Sequence, residues 1–148
     1  MIQTDILIVG SGCSGLYCAL QCPKDKNILL ISKSDLESSD SYLAQGGICM
    51  LKDDTDYESY FEDTMKAGHY ENDKESVGIM IRSSQDVIRD LVSYGAEFEQ
   101  DPEGQFLFTK EGAHSDKRIL FHDDVTGREI TSKLLAAVKA LPNVTLME

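Results

Sequence analysis

Residues 5 to 15 read Asp-Ile-Leu-Ile-Val-Gly-Ser-Gly-Cys-Ser-Gly, an apolar run that leads straight into a G-x-G-x-x-G loop. Ile6, Leu7, Ile8 and Val9 do not alternate with polar residues, the pattern of a strand buried on both faces of a parallel sheet. Gly10 permits a tight turn, Gly12 lets backbone approach a phosphate with no Cβ in the way, and Gly15 lets the next helix pack closely on the strand. That helix is expected over roughly residues 13 to 22, and its free N–H groups and positive end favour an anion by about 0.3 to 1 kcal/mol from the dipole alone. A second apolar run, Ile28 to Ile31, completes a β-α-β unit. A bare glycine-rich turn would not need strand, loop, helix and strand in this order, so the segment reads as a site for a dinucleotide pyrophosphate.

Composition narrows the partners. A chain of 148 residues, 41% of them hydrophobic, can bury one ordinary core, so a single globular unit is expected. Its formal net charge of -12 argues against nucleic-acid binding, which needs clustered Lys and Arg to displace counterions. No stretch approaches the roughly 20 apolar residues that span a bilayer, and the first apolar run is too short for a signal peptide, so no membrane partner and a cytoplasmic location are expected. Cys13, Cys18, Cys22 and Cys49 lack paired C-x-x-C spacing and have no histidine close by in sequence, so reduced thiols and no metal site are predicted. Cys18 and Cys22 lie one helical turn apart and read as small packing hydrophobes. Cys13 sits at a helix N-terminus, where a thiol pKa tends to fall, yet loop packing is the preferred role.

Downstream, Ser32 to Ser41 is polar and rich in small hydroxyl residues, hence a loop. Tyr42-Leu43-Ala44-Gln45-Gly46-Gly47-Ile48 then brings two adjacent glycines, where backbone can approach another group. Three amphipathic helices follow. Asp56 is placed to cap the first, with Tyr57, Tyr60, Phe61 and Met65 on one stripe; Asp73 caps the second, with Val77, Ile81, Ile88 and Leu91 at the helical period, and Gly95 stops it. Thr126 is placed to cap the third, which buries Ile130, Leu134, Val138 and Leu141 and ends before Pro142-Asn143. Val144 to Met147 reads as a further strand. Asp101-Pro102-Glu103-Gly104, between Phe98 and the run Phe106 to Phe108, predicts a hairpin. No composition break marks a domain boundary. The fold class is therefore α/β: a Rossmann-like domain with a parallel central sheet, a helical insertion and a small hairpin.

Four segments carry a family resemblance. The Gly-Ser-Gly-x-x-Gly loop, the Leu-Ile-Ser-Lys strand end, Ser39-Asp40-Ser41-x-x-Ala44-Gln45-Gly46-Gly47-Ile48, and Glu111-Gly-Ala-His-Ser followed by Thr126-Gly127-Arg128-Glu129 resemble the flavoproteins that include succinate dehydrogenase, fumarate reductase and L-aspartate oxidase. The resemblance runs in order from residue 5 to 148. It implies an FAD-binding domain, with the pyrophosphate held at Gly10, Ser11, Gly12, Cys13, Ser14 and Gly15. Lys33 would then lie by the adenosine part. Asp40, Ser41, Tyr42, Leu43, Ala44, Gln45, Gly46 and Gly47 would run beside the isoalloxazine. A nicotinamide site commonly has an acid at the end of the second strand; Ser32-Lys33 departs from that pattern.

Two positions separate members of the family. The membrane-linked members carry at the position of Asp40 a histidine that bonds covalently to the flavin, so the resemblance implies non-covalent FAD here. Glu111 would repel succinate, a dianion, but can pair with the ammonium group of L-aspartate. Taken without the resemblance, Glu111 is an ordinary solvated loop charge. With it, the implied activity is oxidation of L-aspartate to iminoaspartate for quinolinate and NAD biosynthesis, by hydride transfer from the substrate Cα to flavin N5. Oxygen or fumarate would be the electron acceptor, and quinolinate synthase a candidate partner. Ala113 stands where these relatives carry a second glycine, His114 is a weak site candidate, and His69 and His122 read as structural.

The family's catalytic arginine, substrate-binding histidines, capping domain and returning C-terminal flavin-binding segment are not found in these 148 residues, so the chain by itself is expected to be inactive. No proton-transfer residue is assigned. Two other readings stay open: a succinate or fumarate oxidoreductase of the same family, and a non-catalytic dinucleotide-binding module.

Overall fold

A computed structural model describes residues 3–148. In chain order its elements are β1 (Ile6–Val9), α1 (Cys13–Gln21), β2 (Ile28–Ile31), α2 (Asp40–Leu43), β3 (Ile48–Cys49), a 3-10 turn (Asp54–Asp56), α3 (Tyr57–Ala67), α4 (Lys74–Ser93), β4 (Ile119–Leu120), α5 (Thr126–Lys139) and β5 (Val144–Met147). The strands at the two ends of the chain close one parallel sheet in the order β1-β2-β5, with Ile8 opposite Leu30 and Leu30 opposite Leu146. β3 and β4 form a separate antiparallel pair, Ile48 opposite Leu120.

Parallel pairing puts Ile8, Ile28 and Leu30 on one face, where they pack with Leu16 and Ala19 of α1 and Leu134 and Val138 of α5. The other face carries Leu7 and Val9, 55% and 75% exposed. β1 is thus buried on one face, not two as its unbroken apolar run predicts. Among the described residues it is also an edge strand, paired only with β2. α1 and α5 contact each other along one side of the sheet, and that is the side on which the even-numbered strand residues are buried.

α3 and α4 form the helical insertion and have a core of their own, built from Leu51, Tyr60, Met65, Val77 and Ile81. Asp73 caps α4 as predicted, its Oδ1 accepting from the Ser76 N–H at 2.7 Å, and Gly95 follows the helix end with φ +94. Two predicted caps are corrected. Asp56 makes no cap bond to α3; its carboxylate is turned to a buried guanidinium, which outbids a local N–H for a charged acceptor. Thr126 is the first helical residue of α5 after Val125, and its Oγ1 accepts from the His122 N–H at 3.0 Å.

The predicted hairpin is present as a turn with one isolated bridge, Gln100 to Phe106, and no regular strands. The loop predicted for residues 32 to 41 ends two residues early, because Ser39 caps α2 through its Oγ at 3.2 Å from the Tyr42 N–H. Among the described residues no helix is long and apolar enough to cross a membrane.

Candidate functional site

The glycine loop lies between β1 and α1. Gly10 has φ +115, a left-handed conformation that favours glycine, and its N–H donates to the Ile31 carbonyl at 2.8 Å, tying the loop to the end of β2. A Cβ at Gly15 would collide with the Gly10 carbonyl oxygen, so only glycine lets α1 start this close beneath the strand. Gly12 occupies the N-cap of α1 with no side chain of its own and no acid in the first turn, so that, apart from the Cys13 N–H taken by Ser41, the positive helix end faces an anion without competition. Ser11 is buried, and its hydroxyl donates to Ser32 Oγ at 3.2 Å, joining the loop to the second strand end. Ser14 is exposed on the first turn of α1.

These parts line one cleft of about 340 Å³, formed by Val9 to Gly12, Ile31 to Ser34, Ser38 and Ser39. It holds Lys33 together with the glycine loop, a single cation among hydroxyls and backbone, suited to a phosphorylated ligand. The cleft ends on α2. Ser41 accepts the Cys13 N–H on its Oγ at 3.1 Å, so the segment Asp40 to Gly47 begins directly on the phosphate loop. Cys13 itself packs into the core, with its Sγ 3.2 Å from Thr131 Oγ1, in keeping with loop packing.

α2 lies on the start of α5. Gly127 donates its N–H to the Ala44 carbonyl at 3.0 Å, and a Cβ on Gly127 would press into the Ser41 and Ala44 carbonyls. Gly127 was present in the sequence motif, but nothing local assigned it this packing role. Asp40, Leu43, Ala44, Gln45 and Gly46 are exposed, and Tyr42 is half-buried. Gly47 runs against β4, where a Cβ would strike the Leu120 carbonyl. Its N–H is directed at the side chain of Glu111, the Oε1 of which accepts at 3.4 Å.

Behind Glu111 lies a charged cluster that sequence reasoning did not identify. Arg118 is fully buried and bonds Asp56 through Nε and Nη2, Asp63 through Nη1 at 2.6 Å, and Ser59 through Nη2 at 2.8 Å. Its Nη1 also lies 3.1 Å from His114 Nδ1. Burial works against the guanidinium charge, but the hydrogen bonds and charges of Asp56 and Asp63 more than offset this and hold its pKa above the ordinary value. Burial likewise pushes the Asp63 carboxyl up, while hydrogen bonds from Ser115 and Arg118 carry it net below the usual carboxylate range. Burial raises the Cys49 thiol, and its Sγ lies 3.3 Å from His114 Nε2. The one local sign of this cluster was a lone arginine set against the apolar pair Ile119-Leu120.

The remaining candidates fall outside the cleft. Cys18 is exposed, and Cys22, at the end of α1, has its thiol raised by burial and by Cys18. His69 lies in the left-handed turn after α3. Among the described residues no group of three or more His, Cys, Asp or Glu is placed to hold a metal ion.

Comparison with known proteins identifies the family. The chain is 45% identical to an L-aspartate oxidase of Clostridium perfringens over 144 residues, 97% of this chain and 33% of that protein. It is 40% identical to an L-aspartate oxidase of Clostridium acetobutylicum over 147 residues, 99% of this chain and 34% of that one. It therefore spans about a third of the length of these curated relatives. Among solved structures, the E. coli quinol fumarate reductase flavoprotein superposes with a TM-score of 0.92 at 26% identity, over 98% of this chain and 26% of that one. The cradle fits the cofactor these parts imply: a helix start with a glycine N-cap and no acid in its first turn, a glycine-only approach and a cleft with one lysine. A family model described as FAD binding domain matches residues 5–148, and the chain belongs to that family, with FAD as its cofactor.

Proposed function

We propose that this chain is the flavin-binding portion of an L-aspartate oxidase, converting L-aspartate to iminoaspartate in the route to quinolinate and NAD. When bound, FAD supplies the two-electron acceptor for the substrate's Cα–H bond. The chain's own residues hold and orient. Gly10 to Gly15 and the α1 N-terminus take the pyrophosphate, Lys33 faces the adenosine part, and Asp40 to Gly47 form the wall beside the ring system. Asp40 cannot form a histidyl link, so the cofactor is held without a covalent bond.

The observation that carries the substrate assignment is Glu111, held at the Gly47 N–H on the wall assigned to the ring system. A carboxylate there attracts an α-ammonium group and repels a plain dicarboxylate, which favours aspartate over succinate. The names of the relatives at 45% and 40% identity support the same choice. The groups that bind the substrate carboxylates and move its proton are assigned to the length of those relatives that this chain does not span. The electron acceptor is oxygen or fumarate, and the location is cytoplasmic.

The test is anaerobic reduction of the bound flavin in a full-length protein carrying this segment. L-Aspartate should bleach the visible flavin band and succinate should not. Bleaching by succinate alone would assign a succinate or fumarate oxidoreductase instead.

A further inference from the structure

We infer that Arg118 is the positioning residue for Glu111, and through it sets the preference for an amino diacid over a plain diacid. This rests on the aspartate reading above. Glu111 stands near the start of a loop closed at its base by paired backbone bonds, Thr109 N–H to the Ile119 carbonyl at 2.9 Å and the reverse at 3.2 Å. Its carboxylate is exposed to solvent. A carboxylate on a free loop would sample many positions, yet this one meets a defined amide. Something must fix the loop.

Beside the Lys52–Asp116 pair, two grips that do so converge on Arg118. Ser115 donates its N–H and its hydroxyl to Asp63 Oδ2, at 2.7 and 2.8 Å, the same oxygen that takes Arg118 Nη1. His114, the next residue toward Glu111, accepts from Arg118 Nη1 on Nδ1 at 3.1 Å. A guanidinium has no acceptor, so Nδ1 must be unprotonated and the ring proton sits on Nε2. That proton is aimed at Cys49 Sγ, 3.3 Å away. The loop is thereby tied to the strand beside it by two rungs, Glu111 to Gly47 and His114 to Cys49, with the guanidinium fixing the second from behind. All five N–H groups of Arg118 are engaged, so the anchor has no alternative arrangement. Arg118 is buried behind His114 and acts only through it and Asp63.

The experiment uses the full-length, flavin-loaded protein and reads the apparent dissociation constant of L-aspartate from the concentration dependence of anaerobic flavin reduction, and that of succinate from its competition with L-aspartate. Glu111→Gln sets the scale, lowering the aspartate preference about tenfold or more, as loss of a charge-assisted hydrogen bond does. Arg118→Lys keeps the charge and loses the fork. His114→Phe keeps a ring against Tyr60 and loses the second rung. Each should cut the preference by about fivefold or more, and neither should cut it further when Glu111→Gln is already present. FAD affinity, which a merely structural role would disturb, should stay within about twofold in His114→Phe.

A wild-type preference in His114→Phe, with Glu111→Gln still effective, overturns the positioning role and leaves the aspartate reading standing. An unchanged preference in Glu111→Gln overturns the aspartate reading, and the positioning role with it. If Arg118→Lys does not fold, His114→Phe decides alone.

Discussion

Gly47 and Glu111, 64 positions apart in the chain, meet through a backbone N–H that points at a carboxylate oxygen 3.4 Å away. The contact joins the wall assigned to the flavin ring with the side chain assigned to substrate choice. It exists because Gly47 has no Cβ to strike the Leu120 carbonyl, which brings β3 and β4 together beneath it.

The two loop glycines should separate fold from ligand. In Gly15→Ala the new Cβ meets the Gly10 carbonyl oxygen, which is backbone and cannot turn aside, so overpacking should cost about 1 to 3 kcal/mol of stability as well as FAD binding. In Gly12→Ala the nearest atom is Ser41 Oγ at 3.1 Å, a side chain that can move. This variant should melt close to the wild type and still bind FAD more weakly. Thermal melts and FAD titrations of both variants check the pair.

Ala113 holds φ +73, a conformation that costs an L side chain about 1 to 2 kcal/mol. Glycine would remove that strain and give back about 0.4 to 1 kcal/mol through a freer unfolded chain. Ala113→Gly should therefore stabilise by roughly 0.5 to 1 kcal/mol, read as a rise in Tm with the Glu111 loop unchanged.

Acid should loosen the Arg118 cluster. The Asp63 carboxyl is held below its ordinary value, so the unfolded chain binds its proton more readily than the folded one. Its contribution is complete above the unfolded pKa of about 3.9 and is lost as pH falls through the lower folded value. Asp73 on α4 shifts in the same direction, chiefly through the Ser76 N–H, and adds to the slope. Tm should fall as pH drops below about 4, and less steeply in Asp63→Asn than in the wild type.

Much of the fold was legible because it is written in local patterns. The strand, G-x-G-x-x-G loop, helix and strand follow one another in sequence and in space, and the Asp73 cap and the Ile81, Ile88 and Leu91 stripe need only short-range rules. The exposed face of β1 was not legible: an unbroken run such as Ile6 to Val9 has the same composition whether one or two faces are covered. Asp56 was misread because an N-cap is a local inference, while its partner Arg118 is 62 positions away. α2 is four residues long, too short to show a period. In the site, the glycines and Glu111 stood out as motifs, but Arg118, Asp63 and Gly127 matter through contacts that close only when distant segments fold together.

The most direct test is the absorption spectrum of the purified chain titrated with FAD, followed by denaturation in acid. The flavin band should travel with the folded protein and be released into the supernatant when the protein precipitates. Flavin that stays with the precipitate would contradict the non-covalent site at Asp40. A chain that binds NAD and not FAD would contradict the assignment of the glycine loop itself.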